Sequence, residues 1–398
     1  TGGLQVSGTT GIGLEVGTGT TINVYGTGST ASSTTNAAID IDGTIGGSGV
    51  IFESVAAGGG TNGIVLANTG AGAFTVTGTG GPDSGGTISS TTGEGVLLTN
   101  TGGPISFTDI RITGTGNHGI RGTSQTGGFT GNRLTLTTIG NADDERGIWL
   151  TNPGTVTITD QSLTTIADTA IEIDRTTAST GDVTITATTP GPHIDTTANS
   201  GAGVEITAIG AGAVVPGGSI DGIDMTGIDG PAIRLLAGDT FGSAAGAIGT
   251  QGTAGTDSTG SFRISDVAVG TVAPFVAGAG GGGIQIRGAG NGTMDVDISD
   301  ADIVTDNAFM ASAVSADEAD VVVEIAGSTL AMDNPAFNAV GVGAALVADP
   351  GQSPVLHTTI TNTAVGVAGQ VGSAGSIGVA IEGSNGTGAI DAILSGTT

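Results

Sequence analysis

The stretch that decides the fold runs from Gly93 to Asp174. It reads GEGVLLTNTGGPISFTDIRITGTG (93–116), NHGIRGTSQTGGFTGNRLTLTTIGNADD (117–144), ERGIWLTNPGTVTITDQSLTTIAD (145–168) and TAIEID (169–174). Each unit opens on a small residue and a short apolar strand and turns through Gly, Thr or Asn. A second and a third apolar strand follow, and an Asn- or Asp-bearing turn restarts the pattern. A period in the twenties with three strands per period predicts a β-solenoid. No single repeat of such a chain can bury its apolar face, and stacking makes one continuous core.

Working outward, each coil registers on a small–apolar–x–apolar pattern. The inward anchors are Leu14, Ile39, Ile64, Val96, Ile120, Ile148, Ile171, Val204, Ile233, Ile284, Val323, Leu346 and Val379. The steps between them range from 23 to 51 residues, so strands of constant length alternate with variable turns. This predicts an all-β, right-handed parallel β-helix of about 13 coils, three strands per coil, as a single domain over residues 1–398. The second strand is clearest in Phe74–Thr77, Ile105–Thr108, Val156–Thr159 and Val183–Thr186, with apolar residues inward and hydroxyls outward. The third appears in Ile110–Ile112, Leu134–Leu136 and Val267–Val269. The longest step predicts a loop insertion at about residues 237–260. The run NAFMASAVSADEA, Asn307 to Ala319, reads as one short helix, and the C-terminal third is the least regular part of the register. Asn36, Asn62, Asn117, Asp144, Asp168, Asn199 and Asp229 precede anchors, where a side-chain ladder is expected.

Composition narrows the function classes. Gly supplies 78 residues and Pro 11, without a Gly-X-Y period, which excludes collagen. The net charge is −28, from 27 Asp and 9 Glu against eight basic residues, all Arg and all between Arg111 and Arg287. Such a surface repels nucleic acid and anionic membranes. There is no Cys, hence no thiol catalysis and no thiolate zinc site. No apolar run is long enough for a membrane-spanning helix. The chain starts at Thr1 in mid-pattern, without an initiating Met or signal peptide, and reads as a mature product or a piece of something larger.

The stretches GIVLANTGAGAFTVTGTGG (63–81), GVLLTNTGGPISFTDIRITGTGNHGIRG (95–122) and GIWLTNPGTVTITDQSLTTIAD (147–168) carry a family resemblance. They resemble the right-handed parallel β-helix superfamily that includes pectate lyases. More narrowly, they resemble repeat regions of large secreted bacterial surface proteins of the adhesin, autotransporter-passenger and filament type. The resemblance covers most of residues 11–398. It implies an extracellular or cell-surface structural role, with self-association end to end or continuation in a longer chain. It leaves activity open, because the fold hosts many functions.

The outward residue of each first strand forms a column: Glu15, Asp40, Val65, Leu97, Arg121, Trp149, Glu172, Glu205, Arg234, Gln285, Glu324, Val347 and Ala380. The resemblance places the active sites of family lyases and hydrolases on this column. Arg121, Trp149, Glu172, Glu205 and Arg234 are therefore the candidate ligand-binding set. Trp149 offers a sugar platform, and Arg121 and Arg234 suit an acidic glycan. Glu172 and Glu205, one coil or about 5 Å apart, have the separation of a retaining glycosidase pair. The alternative to a structural role is thus a carbohydrate-active or glycan-binding protein acting on acidic polysaccharide. The paired-Asp pattern of polygalacturonases and the calcium aspartates with an arginine base of lyases are both missing from this face. An ordinary solvated strand face accounts for the same residues.

No cofactor is required by any motif. Structural calcium is the one metal the Asp-rich turns suggest, at Asp143 and Asp144 with Glu145, and at Asp295, Asp297, Asp300, Asp302 and Asp306, with Asp40 and Asp42 next. The outward Thr columns of the second strand are similar to those of ice-binding solenoids, but Thr130-Gly131-Asn132 reads as a break in them. His118, His193 and His357 are scattered, and no nucleophile–base pair can be placed. The stretch GTGGPDSGG lacks the Lys of a phosphate loop, and the two Asn-Gly-Thr sequons at Asn291 and Asn385 would mean little in the bacterial setting that the resemblance implies.

Overall fold

The computed structural model describes residues 2–189, 192–196, 201–228, 230–238, 245–250, 260–270, 282–305, 307–315, 318–332, 340–348, 352–367, 377–384 and 388–397. Among the described residues there is no helix. The strands are parallel throughout and sort into three sheets of 13, 13 and 15 strands, one strand per sheet from each coil, with Ala213–Val215 and Gly246–Ile248 as two additional strands of the 15-stranded sheet. This is a right-handed parallel β-solenoid. By packing, the chain divides into two compact units. One comprises Thr1–Ile173, Ala187–Thr189 and His193–Asn199; the other comprises Asp174–Thr186, Pro190–Pro192 and Ser200–Thr398.

In the first unit the anchors behave as the periodicity predicts. Ile39, Ile64, Val96, Ile120, Ile148 and Ile171 are wholly buried. They stack in register on what we term the first sheet: Ile39 pairs Ile64, Ile64 pairs Val96, Val96 pairs Ile120 and Ile120 pairs Ile148. The sequence forms this coil because one residue at each corner turns the chain in the left-handed region. In the coil that starts at Val96 these are Asn100 (φ 53°), Asp109 (φ 56°) and Gly114 (φ 64°). One coil on they are Ser124, Arg133 and Thr138, then Asn152, Asp160 and Thr165. Asn, Asp and Gly accept this conformation readily, and the others need the flanking ladders to hold them.

Two ladders fix the vertical register. Inside the second sheet Phe52, Phe74, Phe107 and Phe129 stack on successive coils, with ring centroids 6.4, 5.9 and 6.1 Å apart. Gly131 faces the same interior, where a Cβ would lie 2.5 Å from the Leu134 Cδ1. It therefore leaves the outward residues aligned. Ser106 pairs Thr130, and Thr130 pairs Thr157. That hydroxyl column is continuous, whereas the neighbouring one is interrupted as expected, by Asn132 between Thr108 and Thr159. The second ladder follows the first strand, and before the anchors Asn62 Oδ1 also joins two coils by accepting the Glu94 N–H. Asn100 Nδ2 donates to Asn68 Oδ1 (2.9 Å), and Asn68 Nδ2 donates to Asp42 Oδ1 (3.0 Å). Asn199 and Asp229, also expected in a ladder, lie outside the described residues.

In the second unit two expectations are corrected. Asn307–Ser315 is a strand of the first sheet, not a helix. Its local composition tolerates a helix, but parallel pairing with Gly282–Gly288 prevails over that weak preference. The anchor after Ile284 is therefore Phe309, followed by Val342 and Val379. Val323 lies on the second sheet beside Val296, and Leu346 lies four residues beyond the true anchor on the right strand. The apolar run Val321–Val323 matches the anchor pattern equally well, which is why periodicity alone misplaced it. The apparent irregularity of that region belongs to the register, since every coil there still has three strands. The region expected to be an insertion contains a short strand, Gly246–Ile248, that pairs Ala213–Val215 beside the second sheet. Most of the remaining inserted residues lie outside the described ones.

Candidate functional site

The outer cluster of the first unit is built by register. The strands Ile120–Thr123 and Ile148–Thr151 pair so that Arg121 lies beside Trp149, the only Trp of the chain. Both point outward because Ile120 and Ile148 point in. The guanidinium carbon of Arg121 lies 4.9 Å from the indole centroid, and that of Arg146 lies 4.5 Å from it. Both distances are within the cation–π range. The His118 ring meets Trp149 edge-on at 5.0 Å.

Carboxylates close the cluster. Arg121 Nη1 is 3.6 Å from Glu94 Oε1. Arg146 donates through Nε to Glu172 and lies 3.9 Å from an Asp168 oxygen. Glu94 and Glu172 are both buried, as is His118. His118 Nδ1 accepts the backbone N–H of Arg146 (2.9 Å). Burial, and then the Arg121 charge, hold the His118 imidazole down at about 4, so it is neutral near pH 7. Burial raises Asp168 above the usual carboxylate range, against the pull of Arg146. The Glu145 carboxylate is used locally and accepts the backbone N–H groups of Asn141 and Ala142.

Of the five residues that periodicity nominates, the structure brings Arg121, Trp149 and Glu172 into one cluster, the last through Arg146. Glu205 and Arg234 belong to the other unit. There the strands Val204–Ala208 and Ile233–Ala237 set them side by side, and Arg234 Nη1 donates to Glu205 Oε2 at 3.0 Å. Arg234 Nε also reaches Gln285 Oε1 (3.4 Å). Each candidate glutamate is thus bound to an arginine of its own unit. The outward cluster thus combines two guanidinium groups with an aromatic face.

Sequence reasoning missed Glu94, His118 and Arg146, although a signal was present. Each stands two residues before an anchor, as Asn62 does. Asn62 Oδ1 accepts the Glu94 N–H (3.0 Å), just as His118 accepts that of Arg146. This column ties one coil to the next.

The calcium candidates do not converge. Asp143 and Asp144 are exposed on a turn. Asp295 and Asp297 lie on the strand Thr293–Ser299, Asp300 turns a corner with φ 52°, and Asp302 starts a strand of another sheet. Asp306 lies outside the described residues. Among the described residues no group of three His, Asp or Glu side chains could hold a metal ion. His193 Nε2 lies 2.7 Å from the Thr189 carbonyl, and His357 lies 3.7 Å from Asp391.

No family model, curated protein or solved structure matches this chain.

Proposed function

We propose that the chain is an extracellular structural β-solenoid, a segment or subunit of a bacterial surface stalk, adhesin or filament that stacks end to end. The narrower family resemblance, to repeat regions of secreted surface proteins, belongs to this proposal. One observation carries it: charge is used between coils. Arg111 pairs Asp83, Arg121 pairs Glu94, Arg133 pairs Asp109, Arg146 pairs Glu172 and Arg234 pairs Glu205. Every partner lies 24 to 29 residues away in sequence, which is one coil. Side chains that staple rung to rung suit a scaffold. Sedimentation of the purified chain over a concentration series tests the stacking. Open-ended growth in size with concentration is the expected result. A species that stays monomeric at every concentration, from a host whose native protein is no longer than this chain, contradicts it.

The half-exposed Trp149 beside Arg121 favours a second reading, glycan binding or turnover on acidic polysaccharide. Arg121→Ala and Trp149→Ala should then each weaken polygalacturonate binding at least tenfold. Turnover that survives Glu172→Ala and Glu205→Ala removes the catalytic form of this reading.

A further inference from the structure

The outer face of the second sheet in the unit that includes Ser200–Thr398 carries a cavity unrelated to the Trp149 cluster. Three parallel strands, Phe262–Ser265, Thr293–Ser299 and Asp320–Ala326, form its floor. Their register sets Arg263 beside Asp297 and Asp297 beside Glu324, with Ser265 and Ser299 in the adjoining column. These side chains, with Ile298 and Ala326, line a half-open cavity of about 380 Å³. Ser265 Oγ donates to Asp221 Oδ1 at 2.6 Å, which leaves its oxygen as an acceptor facing the same column.

Arg263 differs from the stapling arginines. Among the described residues it meets no carboxylate within 4.0 Å, although Asp297 is its direct cross-strand neighbour. An exposed guanidinium left open beside two carboxylates, in a concave site, is arranged for an anion that arrives with cations attached. A bare phosphate or sulfate would meet the Asp297 and Glu324 charges. A hard metal ion needs six to eight oxygens, and the arginine opposes it. A neutral ligand would cover the Arg263 charge without pairing it.

We propose that this cavity binds a basic amino-acid residue with a free carboxylate: free lysine or arginine, or such a residue at the C-terminus of a peptide. The carboxylate takes Arg263 in a two-point contact, the geometry that guanidinium favours. The cationic side chain, extended along the stacking direction, reaches Glu324 two rungs or about 10 Å away. Asp297, between them, takes the α-ammonium of the free amino acid or a backbone N–H of the peptide. The lining carries one positive and two negative charges, and the free ligand carries the reverse. The chain itself has no Lys to compete for the site.

Calorimetric titration of the whole chain with L-lysine, L-lysinamide, L-norleucine, a short peptide ending in lysine and D-galacturonate tests this. Saturable lysine or peptide binding is expected, weakened at least tenfold for lysinamide and norleucine. Arg263→Ala and Glu324→Gln should each weaken it at least tenfold while the far-ultraviolet circular dichroism stays that of the parent. Tighter binding of free lysine identifies the free amino acid as the ligand, and tighter binding of the peptide identifies a chain terminus. No lysine or peptide binding at millimolar concentration overturns the proposal. So does preference for galacturonate, or binding that falls with Trp149→Ala but not with Arg263→Ala.

Discussion

Thr138 and Thr165 turn equivalent corners of successive coils with φ of 56° and 55°. A β-branched residue is strained there, whereas Asn and Gly are not. Both threonines are exposed, so nothing in the core depends on their methyl groups. Thr138→Asn should stabilise the fold by about 1 kcal/mol, since local strain of this kind costs about 1–3 kcal/mol. A higher urea midpoint at unchanged m-value is the confirming observation. Asp40 makes the same point with charge. Burial, then Glu15 and Asp42, raise its carboxyl above the ordinary value. A raised carboxyl disfavours the fold once pH exceeds the unfolded pKa, and the penalty disappears as pH falls below it. Asp40→Asn should therefore raise the melting temperature at pH 7 and have no such effect below about pH 4, the ordinary carboxylate range. Equal shifts at both pH values would refute that account.

At the scale of elements, the contacts between coils matter more than those within them. Phe107 stacks between Phe74 and Phe129, and Phe107→Ala should cost about 3–5 kcal/mol, the range for emptying a buried aromatic site. The His118 column is the acid-sensitive contact. Its imidazole pKa is lowered to about 4, so the folded state refuses a proton that the unfolded chain accepts near 6.5. Stability is intact above about pH 6.5 and falls as pH drops toward 4, by up to about 3 kcal/mol. Protonation also removes the acceptor that holds the Arg146 N–H. Because Trp149 is the only Trp and touches the His118 ring, its fluorescence reports this step directly. A transition in that signal centred near pH 4 is expected in the parent and not in His118→Asn. A titration identical in both would contradict the assignment.

The elements also show what a sequence can convey. The anchors from Leu14 to Ile284 were legible because Gly or Ala marks the start of most of these strands and hydroxyls alternate with apolar residues. Legibility failed from Asn307 onward for a physical reason. There Ala and Val replace Thr, and inward and outward positions look alike, so only strand pairing separates Phe309 from Val323. In the outer cluster Arg121, Trp149 and Glu172 were visible through two-residue alternation. Glu94, His118 and Arg146 were not, because they share only an offset of two residues before an anchor, with no common residue type to mark the column.

At the scale of the whole molecule, the charge distribution is the organising fact. Thirty-six acidic residues face eight arginines, and five of those arginines span one coil to reach a carboxylate. Arg111 and Asp83 are open to solvent on both sides and contribute little, about 0–1 kcal/mol, whereas the other four arginines reach carboxylates that are largely buried; in parallel coils all five pairs also oppose register slips. A scaffold needs that property, whereas a catalytic site needs carboxylates kept apart from such pairing. The most direct test of this account is where the native protein stands. Antibody raised against the purified chain should label intact producer cells, and brief proteinase K treatment of those cells should abolish the label. Labelling that appears only after lysis, and resists protease on intact cells, would contradict an extracellular scaffold.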